Sequence, residues 1–265
     1  MTSLLKRPTQ SGECGQIHNL GPDQTGFGYV GFSAFKLTDG MTVTKQFSDV
    51  ETCLVVVTGR VQFSTDGIHG VELGGRATPF GDYPGVAYIP PNVAFSVISI
   101  GSSEVALCTA PAKGMLPPRI IEPANMEKLT RGKGSNIRHV CNILPETEPA
   151  ESLLIVEVIT PAGHSSSYPP HKHDQDNLPH ESFLEETYYH RINPAQGFGF
   201  QRVYTDDRSI DETMTFHDSD VVLVPRGYHP VAAPHGYDVY YLNVMAGPKR
   251  IWRFQNDKAH EWMLS

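Results

Sequence analysis

The chain has 265 residues, of which 39% are hydrophobic and 19% charged, and a formal net charge of -8 at pH 7; this is the composition of a folded globular protein and excludes a disordered or fibrous one. The acidic surplus and the lack of a basic patch exclude a nucleic acid or an anionic membrane as the main partner, since either requires clustered Lys and Arg to neutralise phosphates. The length allows one large domain or two of about 130 residues.

At the start, MTSLLKRPTQ lacks the apolar core of about seven residues that a secretory signal needs. No later run approaches the roughly twenty apolar residues of a spanning helix, so a cytoplasmic location is expected. Short runs rich in β-branched residues then recur between glycines and prolines: residues 53–57 (CLVVV), 86–89 (VAYI) and 221–224 (VVLV). Strands of this length, separated by turns, predict a mainly β fold of sandwich or barrel type. Helical periodicity is confined to short stretches near residues 126–130 and at the C-terminus, and residues 111–152 read as a Pro/Gly-rich linker. The four cysteines, Cys14, Cys53, Cys108 and Cys141, stand singly without a CxxC pair. They are expected to be small buried hydrophobes rather than disulfides or metal ligands.

An internal repeat organises these elements. "ETCLVVVTGRVQF" begins at Glu51 and leads to "YIPPNVAFSV"; "ETYYHRI" begins at Glu186 and leads, after "GFGFQRV", to "LVPRGYHPV". Pro90 lies 39 residues after Glu51 and Pro225 lies 39 after Glu186, and the copies end near Pro111 and Pro248, 60 and 62 residues after their glutamates. Two copies of one β unit are predicted, residues 1–120 without metal ligands and residues 121–265 with them.

The second copy contains the segment "PPHKHDQDNLPHESFLEETYYHR", residues 169–191. On an extended strand residues i and i+2 share a face, so His171 and His173 project together while Lys172 points away. Two imidazoles so placed can bind one cation, with Glu186 on the next strand and His229 in "VPRGYHP" completing a set that leaves coordination positions open, as a catalytic metal site requires. The repeat supplies a control: position 229 corresponds to Ala94, and no histidine occurs between His18 and His69. His190 shares the face of Glu186 and Tyr188, either lining the same cavity or hydrogen-bonded in the core. His180 reads as solvated, and His235 has no argument in its favour.

The strings "HKHD", "LEETYYHRINP", "GFGFQRVYTDDRS", "DVVLVPRGYHPV", "APHGYDVYYLNVMAGPKR" and "AHEW" closely resemble the 5-deoxy-glucuronate isomerase family of bacterial myo-inositol catabolism. The resemblance covers most of the chain after about residue 150. It implies a bicupin of two jelly-roll β-barrel units, and conversion of 5-deoxy-D-glucuronate to 5-dehydro-2-deoxy-D-gluconate. A related isomerase of 4-deoxy-hexuronates binds zinc through the same residue types, so zinc is implied here, with manganese, iron or nickel also compatible with the donors. Generic cupins place the glutamate four or five residues after HxH, whereas Glu186 lies 13 past His173. Glu185 and Glu181 therefore remain open as substitutes.

An aldose–ketose isomerisation needs a developing oxyanion stabilised, a proton carrier and, for a sugar acid, a cationic clamp. His190, Tyr188, Tyr241 and Glu185 are the candidate proton carriers, and Arg202, Arg191 and Arg226 the candidate clamps. Alternation across Gln201 and Arg202 puts these two on opposite faces. The competing functions are a metal-dependent cupin dioxygenase and a sugar-acid-binding bicupin without catalysis. A homo-oligomer is expected, because exposed edges of β units favour pairing with another chain.

Overall fold

The computed structural model describes residues 3–9, 12 and 14–264. It divides into two compact units: Pro8–Met126 with Ile143–Leu154, and Met1–Arg7 with Glu127–Asn142 and Ile155–Ser265. The boundary is thus not the single cut after residue 120 that the repeat suggested, because strand pairing rather than chain position decides membership. Leu5–Lys6, for example, pairs with Val221–Val224.

The first unit is built on two long antiparallel strands, Val50–Thr65 and Phe95–Pro111. Gly85–Ile89 and Ile68–Gly74 flank the former, and Gly31–Leu37 and Thr42–Lys45 the latter. Irregular register around Thr58 marks where the long pair bends. Gly59 sits there at φ 77°, where an added Cβ would lie 2.2 Å from the Ser102 carbonyl oxygen, so only glycine fits. Alternate residues of the bent strands, including Leu54, Val56, Val61, Phe63, Val97 and Leu107, form one buried apolar cluster.

The second unit contains a seven-stranded sheet in the order Leu5–Lys6, Val221–Val224, Glu185–Asn193, Asp238–Ala246, Leu154–Thr160, Arg138–Leu144, Glu127–Arg131. A four-stranded sheet (Ser165–Ser166, Val231–Ala232, Phe198–Tyr204, Asp211–His217) packs on it through His190, which lies flat on Phe216 with centroids 3.6 Å apart. Glu185–Asn193 lies between Val221–Val224 and Asp238–Ala246, as Val50–Thr65 lies between Gly85–Ile89 and Phe95–Pro111. The repeated sequences therefore occupy equivalent places in their sheets.

Residues 111–152 are not an unstructured linker. Glu127–Arg131 and Arg138–Leu144 form an antiparallel hairpin, so the short helix expected near residues 126–130 is an edge strand preceded by the 3-10 turn Pro123–Asn125. Cross-strand partners override the weak local preference there. Lys258–Leu264 near the C-terminus is a 3-10 helix. Cys53, Cys108 and Cys141 are buried, whereas Cys14 is exposed. Among the described residues no helix is long and apolar enough to cross a membrane.

Candidate metal centre

Three ligand-bearing side chains converge in the second unit: His173, Glu186 and His229. All are buried, at 2%, 2% and 0% exposure. His173 Nε2 lies 3.1 Å and His229 Nε2 3.2 Å from the same oxygen, Oε2 of Glu186. The other carboxylate oxygen accepts from Asn243 Nδ2 at 2.5 Å.

The histidine tautomers follow from the opposite edges of the rings. His173 Nδ1 lies 3.0 Å from the Leu184 carbonyl oxygen and His229 Nδ1 2.8 Å from that of Gly227. A carbonyl can only accept, so each Nδ1 carries the hydrogen and each ring turns its Nε2 toward the carboxylate, the nitrogen that can offer a lone pair to a cation. His229 Nε2 accordingly has no hydrogen-bond partner among the described residues. Two nitrogen lone pairs aimed at one carboxylate oxygen repel unless a cation or proton lies between them. Backbone carbonyls holding the far side of each ring are the usual supports of metal-ligating imidazoles. The donor set therefore fits a divalent ion.

Local backbone explains the convergence. Gly227 adopts φ 93° in the turn before His229, where a Cβ would approach the Tyr204 carbonyl oxygen to 2.4 Å. The long spacing between His173 and Glu186 is taken up by the excursion of Asp174–Asn177 and Glu181–Phe183, which pair with each other. The chain then returns so that the Leu184 N–H donates to the His173 carbonyl at 2.9 Å. Glu181 is occupied by Lys172, whose Nζ lies 3.2 Å away, and Asp174 accepts from the same ammonium at 2.6 Å. Glu181 is thus not the substitute ligand.

His171 stands at the edge of the cluster. Its ring centroid is 4.9 Å from that of His229, 6.4 Å from that of His173 and 4.6 Å from that of Phe254. Burial, with His173 next, lowers its pKa to about 3; burial does the same to His229. For His173 burial also lowers the pKa, but the Glu186 hydrogen bond and charge outweigh it and the net shift is upward.

A cavity of about 270 Å³ opens over this group, lined by His171, Glu186, Tyr188, Tyr241 and Asn243 among others. That volume lies just below the usual range for small-molecule sites, roughly 300–1,000 Å³. The phenols of Tyr188 and Tyr241 have pKa values raised first by burial, so both remain protonated at neutral pH. Tyr188 Oη lies 3.3 Å from Ser167 Oγ.

The other candidates lie elsewhere. His190 does not line the cavity: its Nε2 is 3.0 Å from Gln201 Oε1, and it is the core histidine of the two alternatives. Glu185 alternates with Glu186 along its strand and faces away from the cavity. Arg191 shares that outward face and pairs with Asp218 at 2.8 Å. Arg202 pairs with Asp211 at 2.8 Å, on the face opposite Gln201 as alternation requires. Arg226 is exposed, donating to Ser209 Oγ at 2.8 Å. None of the three arginines reaches the cavity; each has the outward position on its strand or turn. His180 and His235 are both exposed.

Two cavity arginines were missed: Arg131 and Arg138, from the hairpin within the presumed linker. Short runs such as EKLTR and RHVCNIL alternate only loosely, and their pairing was the only signal that could have nominated them.

The KduI/IolB family pattern matches residues 4–263. The chain belongs to the KduI/IolB family. It is 52% identical over 265 residues to the 5-deoxy-glucuronate isomerase of Geobacillus kaustophilus, covering 100% of this chain and 96% of that protein. The crystal structure of an iolB-like protein from Salmonella typhimurium superposes with a TM-score of 0.96 at 46% identity, covering 99% of this chain and 100% of that one. The oxalate decarboxylase of Lactobacillus farciminis shares 10% identity at a TM-score of 0.64 over 97% of this chain and 89% of its own; that likeness concerns the fold alone. The fold is that of a bicupin.

Proposed function

We propose that this chain is an aldose–ketose isomerase that converts 5-deoxy-D-glucuronate to 5-dehydro-2-deoxy-D-gluconate in inositol breakdown. We further propose that His173, Glu186 and His229 hold a divalent ion for the reaction, with zinc the first candidate. The observation that carries the reading is the convergence of two imidazole nitrogens on one buried carboxylate at a small cavity, in a chain 52% identical over its whole length to a 5-deoxy-glucuronate isomerase.

The reaction moves a carbonyl from C1 to C2: C2 gives up its hydrogen, C1 gains one, and a proton passes from O2 to O1. When bound, a divalent ion supplies Lewis acidity to these oxygens, which is worth several kcal/mol of charge stabilisation. The protein's own part is to orient the chain and carry protons. His171, Glu186, Tyr188 and Tyr241, all lining the cavity, can each exchange one. The two phenols, protonated at neutral pH, are suited to donate toward the developing enediolate. Asn243 fixes the carboxylate of Glu186 from behind.

Incubation of the purified protein with 5-deoxy-D-glucuronate under nitrogen is expected to convert the aldehyde to a ketone of identical mass. A chelator should stop the conversion and a divalent ion revive it, and His229→Ala should lose the bound metal. Deuterium from solvent at the product's C1 would report an enediol route, and retained protium a hydride shift. Dependence on oxygen with a mass gain would overturn the reading in favour of a dioxygenase. Saturable binding of an unchanged sugar would leave only a binding protein.

A further inference from the structure

Arg131 and Arg138 are direct cross-strand partners in the hairpin of Glu127–Arg131 and Arg138–Leu144. Residues paired in this way project on one face, and both side chains line the cavity that Glu186 and His171 also line. Like charges directly opposite one another on paired strands destabilise a sheet. The usual remedy is a nearby carboxylate, yet among the described residues neither guanidinium forms an ion pair. Among the described residues the acceptors of Arg138 are the carbonyl and side-chain oxygens of Asn136, at 3.2 and 3.4 Å from Nη1. Every other arginine that was a clamp candidate is engaged: Arg191 with Asp218, Arg202 with Asp211 and Arg226 with Ser209.

Arg138 is partly buried, and burial lowers its pKa while Arg131 beside it adds to the lowering. The wall next to it is apolar: Val140, two residues along the same strand face, and Val156 and Val158 of the neighbouring strand. An apolar wall excludes water and strengthens any charge pairing formed there. The sheet therefore places two uncompensated cations, one partly desolvated, at the cavity that holds the candidate metal centre.

We propose that Arg138, with Arg131 opposite it, is the seat of the substrate's carboxylate. The seat orients the sugar acid with its carboxylate on the hairpin and its carbonyl end toward His173, Glu186 and His229. Planar guanidinia match a carboxylate through paired N–H donors, and an anion there relieves the repulsion between them. This assignment deepens the isomerase reading and rests on it for the identity of the acid, but it can be tested without turnover.

The acid probe is the alcohol made by reducing the aldehyde of 5-deoxy-D-glucuronate, which cannot isomerise. The neutral probe is the corresponding 5-deoxy-hexitol, which has a hydroxymethyl group in place of the carboxylate. Calorimetry on the metal-loaded protein should show the acid binding more tightly than the hexitol. Arg138→Gln should lose roughly 30-fold or more of the acid affinity, leave hexitol binding and metal content unchanged, and be partly rescued in Arg138→Lys. Arg131→Gln, at an exposed position, should weaken the acid alone by a smaller factor, and it carries the test should Arg138→Gln not fold. Equal acid affinity in wild type and variants would overturn the seat, as would equal losses for both probes, the mark of a structural role. Wild-type protein that prefers the acid probe but returns 5-deoxy-D-glucuronate unchanged would remove the isomerase reading and leave the anion seat standing.

Discussion

Glu186 spends one carboxylate oxygen on Asn243 and presents the other to two imidazole nitrogens, so its environment makes sense only with positive charge between the three groups. Around it, burial sets the protonation states: Tyr188 and Tyr241 are held as neutral phenols, and His171 and His229 as neutral imidazoles with pKa values near 3. Neutral imidazoles suit metal ligation and neutral phenols suit proton donation. Replacing each tyrosine by phenylalanine tests the second role. The phenol that hands a proton to the substrate should cost about 10²–10⁴ in kcat when removed, with KM and metal content little changed. Wild-type kcat in both Tyr188→Phe and Tyr241→Phe, measured by the rate of ketone formation, would rule the phenols out as proton carriers.

The strand bearing the histidines works on two faces. While His173 turns toward Glu186, Lys172 is buried on the other side, with 4% exposure, between Asp174 and Glu181 of the excursion that follows. Glu181 also accepts from the Asp174 N–H at 2.7 Å, so one ion pair closes the excursion and fixes the register of the HKH segment. Lys172→Met should leave Glu181 a buried carboxylate without its cation and cost about 3 kcal/mol, read as a lower urea midpoint. Metal affinity should fall roughly 10–100-fold, as it does when the supports of metal ligands are removed. Unchanged metal binding would show that the excursion does not position the histidines. In the first unit the equivalent glutamate, Glu51, has a different role: it accepts from Tyr88 Oη at 2.6 Å and from the N–H groups of Glu151, Ser152 and Leu153 at 2.9, 2.7 and 2.7 Å. The repeat thus predicts where a glutamate stands, and its neighbours decide whether it serves a metal or the backbone.

For the whole molecule, a ligand bound only by the folded state stabilises it by mass action, by about 3 kcal/mol when free metal exceeds its dissociation constant a hundredfold. Chelation should therefore lower the melting temperature by several degrees, and added divalent ion should restore it. A melting curve indifferent to chelator would argue against a metal held by His173, Glu186 and His229. Much of this protein was legible beforehand. Short β-branched runs between turns fixed the class, because strand propensity and turn chemistry are local. The 39-residue register from Glu51 to Pro90 and from Glu186 to Pro225 exposed the duplication, and it nominated Glu186 and His229, because equivalent positions in a repeat have equivalent strands around them. The strings around the histidines carried the family. Only the tertiary structure decided that Glu181 belongs to Lys172 and that His190 belongs to the core. It also decided that the cavity's cations are Arg131 and Arg138 rather than Arg191, Arg202 or Arg226. Those outcomes depend on which strands pair and which face of each meets the cavity. A one-residue change of register reverses that face, and no single strand's sequence specifies it.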